Sequence, residues 1–190
     1  QRQMCIRDRG NVILQVTQNC NLRCEYCVYS GSYINRVHTN KRMSFETAVK
    51  TIDFLAAHSL NCNEVSIGFY GGEPLLEIEL IKKAVSYAKE VFGEKKVNFN
   101  MTTNATLLNM DIADFLVQND FNITISLDGP RNIHNKNRIF ANSNKGTFDL
   151  IMENIALIRE KYPFFDKKIS FNAVIDLKQN VSCTNEFFLN

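Results

Sequence analysis

Apolar residues recur along this chain in two rhythms. Short runs rich in β-branched and aromatic residues, bounded by polar or glycine-containing segments, predict strands over 12–17, 64–70, 97–103, 121–127 and 169–175. Between them apolar positions fall at helical spacing. Ser44 is an N-cap candidate for a helix through about residue 58, with Phe45, Val49, Ile52 and Ala56 on one side. A second helix over 76–92 buries Ile78, Ile81, Val85 and Ala88 and ends at Gly93. Asn109 caps a shorter one carrying Ile112, Phe115 and Leu116. Thr147 caps a fourth with Phe148, Ile151, Ile155 and Ile158, closed near Pro163. Strands alternating with helices predict an α/β fold with a parallel sheet and right-handed crossovers. Five strands and four helices are too few for an eight-unit barrel but match most of a six-unit one, a partial (β/α)6 TIM-type barrel truncated after about five strands. The longest irregular stretches are 28–43 and 129–146.

Composition narrows the function classes. A chain of 190 residues, 45% hydrophobic and 22% charged, suits one globular domain with a sizeable core. The net charge of +2 arises from 22 basic and 20 acidic residues mixed along the chain, so no basic stripe argues for nucleic acid. Lys95-Lys96 and Lys167-Lys168 read as solvated strand starts. No apolar run reaches membrane-spanning length and no signal peptide is visible, which makes a reducing cytoplasm the expected location and gives no membrane partner. Residues 1–9 look like a non-native leader, so Cys5 is not expected to be a ligand, and the core domain is expected over 10–190. Cys62 and Cys183 read as small core or loop residues.

The remaining cysteines carry the chemistry. Cys20, Cys24 and Cys27 stand three and then two residues apart in one loop. Structural zinc usually takes four ligands, whereas a cubane iron-sulfur cluster can be held by three thiolates with one iron left open for a substrate or cofactor. With His38 the trio also has the makings of a Cys3His zinc site. In parallel α/β folds, ligands sit beyond the carboxyl ends of the strands, and the unusual residues fall there. The cysteines follow the first strand and Gly71-Gly72-Glu73-Pro74 the second; Thr102-Thr103-Asn104 ends the third; Ser126 and Asp128-Gly129-Pro130 end the fourth. Paired glycines let the backbone come close to a ligand, or simply turn. Asp128 is equally a turn former and a ligand contact.

Cys-Asn-Leu-Arg-Cys-Glu-Tyr-Cys at 20–27, Gly-Gly-Glu-Pro-Leu at 71–75 and Ser-Leu-Asp-Gly-Pro at 126–130 resemble the motifs of the radical S-adenosylmethionine (SAM) superfamily. They are most similar to those of maturases that usually carry a C-terminal SPASM domain with auxiliary clusters. The resemblance implies a [4Fe-4S] cluster on Cys20, Cys24 and Cys27, with SAM chelated to its open iron. It implies that Gly71, Gly72 and Glu73 hold the methionyl ammonium, Ser126 and Arg138 the carboxylate, and that Asn104 neighbours the ribose. Tyr26 lies near the adenine or packs over the cluster, and His134 is structural. Ala105 stands where the family commonly has glycine. The implied activity is reductive SAM cleavage to a 5'-deoxyadenosyl radical, for which an external flavodoxin- or ferredoxin-type protein donates the electron. The segment 29–44 looks most like maturases of ribosomally made peptides, which form thioether or carbon-carbon crosslinks; relatives oxidise a sulfatase cysteine or serine to formylglycine. The partner is thus a peptide or protein substrate. The SPASM region and any late catalytic base are expected beyond Asn190.

Overall fold

The two rhythms resolve into one sheet with helices packed along one of its faces. The computed structural model describes residues 10–29, 34, 38–176 and 181–189, so the expected leader 1–9 with Cys5, and residues 30–33 and 35–37 of the segment 29–44 that suggested a peptide maturase, lie outside the described residues. Strands β1 (Asn11–Thr17), β2 (Glu64–Gly71), β3 (Lys96–Thr103), β4 (Asn122–Ser126) and β5 (Ile169–Asn172) pair in parallel in chain order, with none inserted out of turn. Such an order is that of a barrel section, since a doubly wound sheet reverses direction at its middle. The crossovers run through α1 (Phe45–Ala57), α2 (Ile78–Phe92), α3 (Met110–Gln118), and then α4 (Arg131–Asn137) with α5 (Phe148–Lys161); α6 (Val181–Leu189) follows β5.

Side chains alternate across each strand, and the two faces differ in kind. Leu14, Val16, Val65, Ile67, Phe69, Phe99, Met101, Ile123 and Ile125 are buried in one core with Ile52, Leu55, Ile81, Ala88, Leu116, Ile151 and Ile155 from the helices. Full burial stabilises by about 1.5–3 kcal/mol for each large aliphatic or aromatic side chain. At its centre the rings of Phe69, Phe99 and Phe121 stack, with centroids 5.4–6.4 Å apart. The opposite face is polar: Asn11, Ser66, Asn100, Asn122, Thr124 and Ser170 line an open cavity of about 270 Å³ with Ile13 and Gly68. No helix among the described residues is long and apolar enough to cross a membrane.

Capping follows the sequence at two helices and departs from it at a third. Ser44 accepts the Thr47 N–H at 3.1 Å and Asn109 the Ile112 N–H at 2.9 Å, and Gly93 ends α2 at φ 54°. Thr147 stands at the N-cap position of α5 but makes no side-chain capping hydrogen bond. Its hydroxyl is turned inward to the Arg138 carbonyl at 3.1 Å, and the Phe148 N–H is taken instead by Asn135 Oδ1 at 3.0 Å. That asparagine belongs to α4, which lies inside the stretch 129–146 expected to be irregular; its seven residues, Arg-Asn-Ile-His-Asn-Lys-Asn, carry too little apolar periodicity to announce a helix. Two further corrections concern boundaries. Pro74–Glu77 forms a 3-10 turn ahead of α2, because proline starts a turn readily, and β5 stops at Asn172, three residues short of the expected end. Phe121→Ala, which empties the middle of the ring stack, is expected to cost roughly 3–5 kcal/mol in a denaturant titration, whereas the exposed Phe164→Ala costs under about 1 kcal/mol.

Candidate metal and cofactor site

The cysteine loop leaves β1 and is held at both ends and from above. The Gly72 N–H donates to the Thr17 carbonyl at 3.0 Å and the Glu73 N–H to that of Asn19 at 2.9 Å. Across the loop, Leu22 bridges Phe140, with the Arg23 N–H on the Ile139 carbonyl at 3.0 Å and the Ala141 N–H on that of Asn21 at 2.9 Å. The Arg23 guanidinium ties in the carbonyls of Cys20 and Leu22 at 2.7 and 2.8 Å. Two backbone N–H groups point at sulfur: Leu22 to Cys20 Sγ at 3.3 Å and Tyr29 to Cys27 Sγ at 3.4 Å.

The paired glycines allow a close backbone approach. A Cβ on Gly71 would stand 2.1 Å from the Thr17 carbonyl oxygen, and one on Gly72 2.1 Å from that of Asn19. Their missing side chains admit the cysteine loop itself; Gly71, at φ 147°, also turns the chain. Glu73 sits behind this rim. Its carboxylate is fully buried and does not line the cavity. Three donors fill it: Thr103 Oγ1 at 2.6 Å, the Asn104 N–H at 2.7 Å and the Leu75 N–H at 3.0 Å. Burial raises its pKa, against those hydrogen bonds. This geometry makes the residue a clasp between the ends of β2 and β3. Asn104 lines the cavity, but its amide is committed to Asn21 Oδ1 at 2.9 Å, Cys20 Sγ at 3.8 Å and the Thr106 hydroxyl at 2.7 Å. Ala105, next to it, is held at φ 58°, the left-handed region that explains a preference for glycine there.

On the far rim the organising group is one that sequence reasoning left undecided. Asp128 is 1% exposed. Its Oδ2 accepts the Tyr26 hydroxyl and Arg138 Nε, the latter at 2.9 Å, and its Oδ1 accepts the Val174 N–H at 3.1 Å. The Arg138 guanidinium also lies 5.5 Å from the centre of the Tyr26 ring. Burial opposes the charge of Arg138, but Asp128, Tyr26 and Cys24 outweigh it and raise its pKa. Beneath, His134 is fully buried: its Nδ1 accepts the Asp128 N–H at 3.3 Å, so Nε2 carries the hydrogen and donates to Thr147 Oγ1 at 2.9 Å. The hint of Asp128 was its position at a strand end, which a turn explained equally well.

Cys20, Cys24, Cys27, Gly72, Ser126 and Arg138 surround one cavity of about 270 Å³, which Tyr26, Gly71 and Asn104 also line. Of the expected site residues only Glu73 stands outside it. Burial pushes the Cys20 thiol up to about 12 and Cys24 up to about 11. Buried sulfur donors of this kind accept ionisation only when a cation arrives among them, which is the chemistry of a thiolate-bound metal cluster. His38 does not complete a zinc site: its ring nitrogens meet the Tyr29 carbonyl at 3.1 Å and Arg23 Nη2 at 3.0 Å, and it does not line the cavity. Among the described residues no trio of His, Cys, Asp or Glu side chains closes on a single ion.

Two outcomes follow from this packing. Gly72→Ala is expected to cost roughly 3 kcal/mol by overpacking against the Asn19 carbonyl and to lower the iron held after anaerobic reconstitution, as read by thermal denaturation and an iron assay. His134, neutral in the fold, has its pKa pushed down from 6.5 to about 4 by burial and by Arg138, against Asp128. Below pH 6.5 the unfolded chain takes up a proton that the fold refuses, so this stability is complete above that pH and is lost as pH falls towards 4, by roughly 3 kcal/mol. Urea midpoints measured against pH should show that extra acid loss in the parent and not in His134→Gln.

A sequence profile of the Radical SAM superfamily matches residues 14–187. The chain is 33% identical over 174 residues to a cysteine-type anaerobic sulfatase-maturating enzyme of Clostridium novyi, covering 90% of this chain and 44% of that one. It is 25% identical over 186 residues to the radical SAM cyclopropyl synthase TigE of Paramaledivibacter caminithermalis, covering 88% and 38%. The solved structure of native anSMEcpe with bound AdoMet and Cp18Cys peptide matches with a TM-score of 0.76 at 26% identity, over 94% of this chain and 47% of that one. The chain therefore spans less than half the length of each of these proteins. A profile match that runs from β1 to α6, over a parallel barrel section with three cysteines at its rim, means that the chain belongs to the radical SAM superfamily.

Proposed function

We propose that this chain is the core of an enzyme that cleaves SAM reductively and uses the resulting 5'-deoxyadenosyl radical to modify a peptide or protein, foremost a ribosomally made peptide. The observation that carries the proposal is the convergence of Cys20, Cys24 and Cys27 with Gly72, Ser126 and Arg138 on one cavity. Held there by Cys20, Cys24 and Cys27, a [4Fe-4S] cluster would supply the electron for reductive cleavage of SAM. The chain's own residues bind and orient. The backbone at Gly71 and Gly72 receives the methionyl ammonium, Ser126 and Arg138 hold the carboxylate, Asn104 forms the wall beside the ribose, and Tyr26 closes the cluster side. Glu73 keeps that rim in shape from below. The electron comes from a flavodoxin- or ferredoxin-type donor, and a reducing cytoplasm suits thiols that must stay unoxidised.

Peptide maturation draws support from the cyclopropyl synthase among the relatives. The 33% identity to a sulfatase-maturating enzyme favours a second reading, oxidation of a sulfatase cysteine or serine to formylglycine. Anaerobically reconstituted chain, reduced with dithionite in the presence of SAM, is expected to release 5'-deoxyadenosine. Cys24→Ala should lower that release at least about a hundredfold, more than the loss of an outer-shell group. A chain that takes up only stoichiometric zinc and releases none overturns the proposal. Mass spectrometry of a cysteine-rich ribosomal peptide and of a sulfatase-derived peptide, each incubated with the same preparation, separates the two readings.

A further inference from the structure

Arg138 reaches the cavity from a buried position, and a guanidinium on a three-methylene arm needs something to aim it. Asp128 Oδ2 takes its Nε at 2.9 Å, and the Tyr26 ring backs its plane at 5.5 Å. The two Nη groups make no hydrogen bond among the described residues, while the side chain lines the cavity. Three donors already bond to the two oxygens of Asp128. Charge adds a second point. SAM carries an ammonium and a sulfonium beside its carboxylate, so a bare guanidinium would attract one end of the ligand and repel the other two centres. Pairing with a carboxylate 2% exposed cancels that repulsion and leaves the directed N–H donors.

We propose that Asp128 is a positioning residue for SAM: holding Arg138 Nε and the Tyr26 hydroxyl on one oxygen, it turns the free Nη pair of Arg138 toward the SAM carboxylate and neutralises the charge that would repel the sulfonium. The inference rests on the reading of this cavity as a SAM site. Asp128 serves the reaction through Arg138 and touches no reacting atom.

The test is equilibrium binding of SAM and of S-adenosylhomocysteine, whose sulfur is uncharged, to anaerobically reconstituted chain with iron and sulfide measured in each sample. Asp128→Asn, with iron unchanged, is expected to weaken SAM about tenfold, the scale of one charge-assisted contact, and S-adenosylhomocysteine clearly less. In an Arg138→Gln background the same change should add less than about twofold, because the group it aims and the charge it neutralises are both gone. Unchanged SAM affinity in Asp128→Asn, or losses that add fully to those of Arg138→Gln, would overturn the positioning role, and equal losses for both ligands would overturn the neutralisation of charge. Where Asp128→Asn loses its iron, Asp128→Glu decides, since it keeps the charge and moves it by one methylene: about tenfold weaker SAM at normal iron supports the role, and unchanged affinity overturns it. A parent chain that holds its cluster and binds neither ligand overturns the SAM reading and this inference together.

Discussion

The site depends on two backbones meeting with nothing between them. At the end of β2 the chain runs so close to the exit of β1 that a single carbon on Gly71 or Gly72 would overlap a carbonyl oxygen. The contact is sealed by two peptide hydrogen bonds, and it decides where the cysteine loop starts and how it leans over the sheet. Hydrophobic burial holds the helices to the sheet, but it is too undirected to place three sulfurs on one cavity. Steric exclusion at two adjacent residues supplies the direction.

Around that contact the rim is tied by two buried carboxylates of opposite design. Glu73 has only neutral donors, a hydroxyl and two peptide N–H groups, and burial accordingly presses it toward the protonated form. Asp128 has a cation as well as a phenol and a peptide. One joins β2 to β3, and the other joins the cysteine loop to β4, to Arg138 and to the chain beyond β5. Leaving any such group unpartnered in the interior costs more than its hydrogen bonds return, so both assemblies are expected to form complete or not at all.

Much of this was legible in the residues. The alternation of β and α periods located all five strands, because each has enough β-branched and aromatic residues to stand out, and the rule that ligands gather at strand ends collected the right loops. What escaped detection was held by tertiary contacts without a local signature. Asn135 caps a helix from outside it; Thr147 holds the N-cap position, but its hydroxyl turns to the Arg138 carbonyl and to His134. From the sequence Glu73 reads as a ligand contact and Asp128 equally as a turn former or a ligand contact, and only the fold reveals the protein donors that hold both carboxylates. A signal for the polar cavity was present: Ser66, Gly68, Asn98, Asn100, Asn122 and Thr124 alternate with large apolar residues, whereas a sheet covered by helices on both faces reads as continuous apolar runs.

The bridge from the cysteine loop to residues 139–141 has a consequence for how the molecule comes into being. The sulfur-bearing segment is synthesised ahead of the residues that hold it, and the Asn21 carbonyl and the Arg23 N–H find their partners more than a hundred positions later. A nascent chain therefore exposes three unshaped thiols until four strand-helix units have left the ribosome. Iron delivered before that moment meets a flexible peptide. Timing of metal insertion, set by the farthest residue of the rim and not by the cysteines, is thus written into the topology.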